Sequence, residues 1–319
     1  MSTGGRILVT PRSLTEAGLD AVAELEPLRR RNFTLVGAAA GRIPTEEELL
    51  ALVPGCAGWL AGVEQITARV LREATDLRVI SRNGTGTDGI DLAAADRAGV
   101  RICRAAGANA QGVAELALTL LLCALRHVPW TSGALRHGRW QRWPGSEIAD
   151  CTIGVVGLGA VGRRAAALFQ TLGARVVAHD PFVTDAPVRC VGLDELVATC
   201  DVISLHCPPP TGGTPLLDAD RLARMPRDSV LVNTARSALV DDRAVLAALE
   251  DGRLRAYAVD AFDAEPPEPT PLLRHDRVIA TPHLGGYTHA SVRRATSMAV
   301  QNLLAVLEEG AGGSSGGLP

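Results

Sequence analysis

Four polar residues stand at the ends of apolar runs in the C-terminal half of this 319-residue chain. Arg236 follows SVLVNTA, Asp260 follows LRAYAV, Glu265 comes five residues later, and His283 follows RVIATP. Arginine presents a planar fork of donors that suits a carboxylate. Histidine exchanges a proton near neutral pH, and a nearby carboxylate orients its ring and favours the charged form. These types together fit acid–base work on an anionic substrate. A lone histidine is more often structural; an arginine and a carboxylate at neighbouring run ends turn the reading toward catalysis. Asp260 could support Glu265 or the local loop, or merely cap a strand.

A second constellation lies upstream. Gly157-Leu158-Gly159-Ala160-Val161-Gly162 follows the apolar run TIGVV and opens the helical pattern VGRRAAALFQTLG. Gly157 permits a tight turn, Gly159 lets backbone approach a pyrophosphate, and Gly162 lets helix pack on strand. The glycine pattern is weak alone, but here it has a strand before it, a helix after it, and an acid in register. That acid is Asp180, which ends ARVVAHD and can accept both ribose hydroxyls of a dinucleotide while repelling a 2′-phosphate. Pro181 and Phe182 follow it with no adjacent arginine, so the expected cofactor is NAD rather than NADP.

These residues need a sheet to carry them. RILVT at 6–10 reads as a buried strand, followed by a helix from about Glu16 to Leu28. TEEELLALV, CAGWLAG and the helix ITARVLREA form a second unit, and LRVISRNG and GVRICRA are further strands leading into loops. Residues 109–125 form one long apolar helix that leads through Trp130, Trp140 and Trp143. Then come a strand at 152–156, a helix at 161–172, a strand at 175–179, and the runs VISLH, SVLVNTA, LRAYAVDAF and RVIATPHL. Short strands alternating with helices predict an α/β protein with parallel sheets. The expected division is a nucleotide-binding domain at 104–290 and a second α/β domain from 1–103 plus 291–319. The helix 291–309 would return to that second domain, and the closing GAGGSSGGLP would be a frayed tail.

Composition removes several classes. A net charge of −3 and a pI near 6.2 give no reason to expect a nucleic-acid partner. The arginines are dispersed except for Arg29–Arg31, read as a solvated helix end. There is no lysine, which excludes Schiff-base chemistry and phosphate-binding loops that need one. The seven cysteines form no C-x-x-C pair, which fits a reduced cytoplasmic protein. The opening MSTGGRILVT lacks a signal-peptide core, and ALTLLLCAL is too short to span a bilayer, so no membrane partner is expected. His275, His283 and His289 lack zinc-ligand spacing, so no metal is expected, and no serine sits in a G-x-S-x-G turn.

The chain resembles the D-2-hydroxyacid dehydrogenases, particularly their phosphoglycerate branch. SRNGTGTDGID (81–91), NAQGVAELAL (109–118), GLGAVGRRAA, LHCPPP (205–210), LVNTARSALVD (231–241), VDAFDAEPP (259–267) and TPHLGG (281–286) occur in the family order. The resemblance implies two Rossmann-like or flavodoxin-like domains with the active site in their cleft, and a homodimer through the nucleotide domain. It implies a catalytic trio of Arg236, Glu265 and His283, with substrate contacts from Asn83, Gly84 and Thr85. Cys207 and Pro208 would border the nicotinamide, Asp260 its carboxamide, and Thr234 and Ala235 the same wall. Pro181, His206 and Gly285 would complete the cofactor site.

The expected reaction moves a hydride between NAD and a small D-2-hydroxy acid. A second anionic group, as in 3-phosphoglycerate or a phosphonate analogue, is favoured because the glycine-rich loop offers N–H donors. Hydroxypyruvate or glyoxylate reduction is the alternative within enzymes, and an NAD(H)-responsive corepressor the alternative outside them. Ala61 and Gly62 stand where the phosphoglycerate branch often has Arg-Ser, and Ser237 replaces a usual glycine. No regulatory extension is expected after the core.

Overall fold

The computed structural model describes residues 4–210 and 212–309. The expected frayed tail lies outside the described residues. The chain forms two compact units, one running to Asn109 and resuming at His289, the other spanning Ala110–Thr288.

The first unit holds a five-stranded parallel sheet made of β1 (Arg6–Val9), β2 (Thr34–Gly37), β3 (Cys56–Ala61), β4 (Val79–Arg82) and β5 (Arg101–Arg104), in the order β2-β1-β3-β4-β5. Successive side chains alternate between faces, which is what lets each strand feed two cores. Ile7, Val9, Leu60 and Val79 pack with Leu303, Leu304 and Leu307 of the helix His289–Glu309. Leu8, Trp59 and Ile80 pack on the opposite side with Leu49, Val70 and Leu71. The helix Glu46–Leu52 starts at a capping box, with Thr45 accepting from the Glu48 N–H and Glu48 accepting from the Thr45 N–H.

The second unit holds seven parallel strands: β6 (Thr152–Val156), β7 (Arg175–His179), β8 (Arg189–Cys190), β9 (Val202–Leu205), β10 (Ser229–Asn233), β11 (Leu254–Val259) and β12 (Val278–Ala280). Their order is β12-β11-β10-β9-β6-β7-β8, so the chain reverses direction across the sheet between β6 and β9. Ile153, Val155, Val230 and Val232 face the helices Ala110–Leu125 and Ala160–Thr171, while Val156, Leu231 and Tyr257 face the other core. The helix Ala110–Leu125 is apolar because it is a core element. Among the described residues no single helix is long and apolar enough to cross a membrane, although this one and its bent neighbour Val128–Arg136 pass that test as a pair.

Two expectations need correction, and two elements are new. The single helix over Glu16–Leu28 is instead Arg12–Ala17, two short 3-10 turns, and Glu26–Arg29. Gly18 takes φ 82°, which ends the first helix, and Pro27 sits at the start of the last, where its missing N–H costs nothing. The strand β2 and the helix Val128–Arg136 have no counterpart in the sequence reading. Finally, Arg29 is not simply solvated, because its guanidinium reaches back to the carbonyls of Leu19 and Val22.

Candidate active site

In the second unit one row of register partners crosses the sheet at the carboxyl ends of its strands. His179 pairs with Val156, Val156 with Leu205, Leu205 with Asn233, Asn233 with Val259, and Val259 with Ala280. The residues just past that row are Asp180, Gly157, His206, Thr234, Asp260 and Thr281. A parallel sheet therefore delivers widely separated parts of the sequence to one edge, where open α/β sheets bind ligands.

On the nucleotide side, Gly157 has φ 92° and packs against the chain after β9; a Cβ there would meet the His206 carbonyl oxygen at 2.7 Å and Cys207 Cβ at 2.9 Å. A Cβ on Gly162 would lie 1.8 Å from the Gly157 oxygen, so only glycine lets this helix start so close to the turn. Gly159 differs, since a Cβ there meets nothing within 4 Å and what glycine leaves is open space. Ala160 and Val161 begin the helix Ala160–Thr171, whose N-cap Gly159 supplies no side-chain acceptor. The first-turn N–H groups are thus left for another acceptor.

Asp180 accepts from the Leu158 N–H at 2.7 Å and the Phe182 N–H at 2.9 Å, one on each oxygen. Burial pushes its carboxyl up, but these backbone donors outweigh burial and hold it below the usual aspartate value. Each oxygen retains acceptor capacity for a ribose hydroxyl. Pro181 and the exposed Phe182 follow directly.

Two buried polar atoms on the same edge have no protein partner: His206 Nδ1 and Thr234 Oγ1. The His206 Nε2 is 2.9 Å from Ser204 Oγ, and burial pulls the imidazole down to about 4. Cys207 goes the opposite way, its thiol pushed up to about 11 by burial, so it forms an unreactive wall beside Pro208. An open cradle at Gly159, an uncapped helix start, an ionised Asp180 and orphaned polar atoms fit a dinucleotide.

On the catalytic side, His283 Nδ1 lies 2.6 Å from Glu265 Oε1, and both side chains remain about half exposed. His283 takes φ 52°, an uncommon conformation for a non-glycine residue. Asp260 shows what holds it there. Its Oδ1 accepts from Thr281 Oγ1 at 2.6 Å and the Leu284 N–H at 2.7 Å, and its Oδ2 accepts from the Gly285 N–H at 2.8 Å. Asp260 is buried, and its carboxylate ties down both sides of His283. Glycine at 285 eases this closeness, because a Cβ there would stand 3.1 Å from Asp260 Oδ2 and 3.2 Å from Val113 Cγ2.

Arg236 begins the turn after β10, and its Nη1 donates to the Ala235 carbonyl at 2.7 Å. Sequence reading missed Asn233. This fully buried side chain donates to the Arg236 carbonyl at 2.9 Å and accepts from the Ala235 N–H at 3.1 Å. It braces the turn that presents the arginine. Its only sequence signal is an amide ending an apolar strand, SVLVN. Ser237, in place of glycine, donates to Asp263.

Asn83, Gly84 and Thr85 belong to the other unit, where they follow β4. The Asn83 N–H donates to the Ala61 carbonyl at 2.8 Å, and the Ala105 N–H donates to the Gly84 carbonyl at 2.9 Å. The Thr85 hydroxyl is 3.3 Å from Asn109 Oδ1.

The fold and this edge define a class of nucleotide-dependent α/β protein, and comparison with known proteins identifies it. Residues 118–285, wholly within the second unit, match the family described as D-isomer specific 2-hydroxyacid dehydrogenase, NAD binding domain. The chain is 35% identical over 266 residues to D-3-phosphoglycerate dehydrogenase of Rattus norvegicus, covering 81% of this chain and 50% of that protein. It is 39% identical over 277 residues to that of Mycobacterium bovis, covering 83% and 52%. Among solved structures, a protein from Thermus thermophilus superposes with a TM-score of 0.86 at 35% identity, covering 95% of this chain and 97% of that one. A D-2-hydroxyisocaproate dehydrogenase superposes at 0.83 with 26% identity, covering 96% and 97%.

This chain belongs to the D-isomer specific 2-hydroxyacid dehydrogenase family, and its cofactor is NAD. It spans about half the length of the curated relatives it matches.

Proposed function

We propose that this chain transfers a hydride between NAD and a small D-2-hydroxy acid or its 2-oxo counterpart. The observation that carries the reading is the Glu265–His283 pair at 2.6 Å, held by Asp260 on the strand-end row that also presents Arg236. NAD supplies the hydride carrier, and every other task falls to side chains of this chain. Gly157, Gly159 and Gly162 with the following helix would hold the pyrophosphate, and Asp180 would hold the adenosine ribose. His206–Pro208, Thr234 and Ala235 would line the nicotinamide end.

Arg236 grips the substrate carboxylate and polarises the 2-oxo oxygen. With Nδ1 engaged by Glu265, His283 has Nε2 left to give that oxygen a proton during reduction and to remove one during oxidation. Glu265 fixes the ring orientation through its contact with Nδ1. Asp260 positions His283 through the loop, a role the hydrogen bonds support at least as well as the carboxamide contact implied by resemblance. Asn83, Gly84 and Thr85 supply backbone donors to the substrate.

The curated relatives named above act as D-3-phosphoglycerate dehydrogenases, which supports an acid with a second anionic group. The alternative within enzymes is hydroxypyruvate or glyoxylate. We also place the protein in the cytoplasm and expect a homodimer through the second unit. Val128, Leu135, Trp140 and Trp143 are large, exposed and close in sequence there, as an interface requires.

The test is NADH consumption with 3-phosphohydroxypyruvate, phosphonopyruvate, hydroxypyruvate and glyoxylate. Turnover of any one of them supports the reading. Silence on all four and on wider 2-oxo acids would overturn it.

A further inference from the structure

The sheet order β12-β11-β10 places β11 between the strand that leads to His283 and the strand that leads to Arg236. The loop leaving β11 therefore starts between the two arms of the site. It carries three acids, Asp260, Asp263 and Glu265, and each reaches a different partner. Asp260 accepts from Thr281, Leu284 and Gly285 on the histidine side, and Glu265 meets His283 itself. Asp263 turns the other way, where its Oδ1 accepts from the hydroxyl of Ser237, the residue after Arg236.

The arginine turn is also fastened from within. The Arg236 carbonyl accepts from the Asn233 amide at 2.9 Å and from the Leu239 N–H at 3.2 Å. The Val240 N–H donates to the Ser237 carbonyl at 3.0 Å. These bonds set the shape of the turn, but none of them reaches the loop after β11. The Ser237–Asp263 bond does.

Asp263 is held in an unfavourable neighbourhood. Burial first, and then the charges of Asp263 and Asp241, keep the Asp242 carboxyl above its ordinary value, so three acids crowd this corner. Like charges favour separation, and a carboxylate kept among them needs a donor to offset the repulsion. The Ser237 hydroxyl is such a donor, and the glycine expected at that place has none to give.

We infer that Ser237 and Asp263 are positioning residues, whose hydrogen bond clasps the arginine turn to the loop of Glu265 and so sets where Arg236 stands relative to His283. The inference rests on the dehydrogenase reading and adds two residues to it. In that reading Arg236 and His283 act on the same substrate oxygen, so a shift of one arm against the other misaligns the proton transfer.

The experiment uses Ser237→Ala, Asp263→Ala, the double alanine variant, and two conservative variants, Ser237→Thr and Asp263→Asn. Each is assayed with NADH and the best 2-oxo acid of the panel above, and the imidazole signals of His283 are followed by NMR without substrate. Either single alanine should lower kcat about three- to tenfold, with NADH affinity unchanged. The double variant should lose no more than the worse single one, because both break the same bond. Threonine keeps the donor and asparagine keeps an acceptor oxygen, so both should restore most of kcat. The His283 signals should move in the alanine variants and return in the conservative ones. The bond is solvent-exposed, so the unfolding midpoint should barely change, and a role in general stability would not produce this pattern.

Alanine variants with wild-type kcat and unmoved His283 signals overturn the inference. So do single effects that multiply in the double variant, or conservative variants that restore nothing. A wild type silent on every 2-oxo acid removes the dehydrogenase reading instead, and the His283 signals, which need no substrate, then decide the clasp by themselves.

Discussion

At the carboxyl edge of the seven-stranded sheet, polar residues stand a few positions past the strand ends, and a register row brings them level. At the matching edge of the five-stranded sheet the polar residue of interest is folded inward, and its partners are a threonine hydroxyl, itself held by a tryptophan, and a backbone N–H. The first edge exposes its chemistry: His283 and Glu265 are both about half open to solvent. The second hides it, with Glu64 almost wholly buried. Groups that react must be reachable, whereas a buried carboxylate acts on the packing and hydrogen bonds around it. The two edges therefore fail differently when altered. Damage to the first should remove turnover, and damage to the second should change stability and its pH dependence.

The largest effect should come from the exposed edge. His283→Ala and Arg236→Ala should each lower kcat by about 10²- to 10⁴-fold, the range expected for losing a positioned acid or an electrostatic clamp. NADH binding, followed by fluorescence titration, should change little. Near-normal kcat in either variant would break the comparison at its stronger end.

Asp260→Asn comes next. An amide places N–H donors where one of the Leu284 or Gly285 N–H groups now donates, leaving a clash of donors at a buried site. The local cost is about 1–3 kcal/mol, so kcat should drop by roughly 10- to 100-fold as the loop around His283 loosens. If Asp260 instead serves the nicotinamide, the loss will appear in NADH affinity with kcat preserved.

Asp180→Ala should weaken NAD by roughly 10- to 100-fold through lost hydrogen bonds to a charged acceptor. It should also relax discrimination against NADP, since the repelling charge is gone. Affinities for the two cofactors, measured side by side, check it. An unchanged preference would mean that another group reads the ribose.

How much of this is legible in the sequence differs between the edges for a physical reason. Arg236, Asp260 and His283 can be found because strand ends are visible as stops in apolar runs, and a parallel sheet aligns those stops. Gly157 and Asp180 are visible through the spacing that a strand–turn–helix imposes. Asn233 is not, because a buried amide bracing a turn leaves no periodicity. Glu64 lies in plain view within GWLAGVEQIT, but one acidic residue after a strand reads as solvated. Only packing shows that Gly62 yields space to it. The glycine-rich loop at 83–89 reads as a cradle for a second anion, and no spacing reveals the buried carboxylate of Glu64 on the neighbouring segment. Helix boundaries fail where backbone conformation decides, at Gly18 and Pro27.

The smallest effect is a difference in how the two edges respond to pH. Burial lowers His206 from 6.5 to about 4, whereas burial raises Glu64 above the usual carboxylate value, with its hydrogen bonds and Arg82 pulling the other way. Between pH 6.5 and 4 the unfolded chain binds a proton at His206 that the folded chain refuses, so stability falls with acidification over that interval. For Glu64 the sign is opposite. Its contribution is fully present below the unfolded carboxylate pKa and is lost as pH rises through the higher folded one.

Denaturant unfolding at a series of pH values should therefore show His206→Asn with a flatter acid limb than wild type. Glu64→Gln should lose less stability than wild type as pH climbs above about 4.5. The comparison uses slopes, because both substitutions also change buried packing and shift absolute stability at every pH. Curves that run parallel to wild type for both variants would mean that neither group titrates differently on folding. The contrast between the exposed and buried edges would then rest on geometry alone.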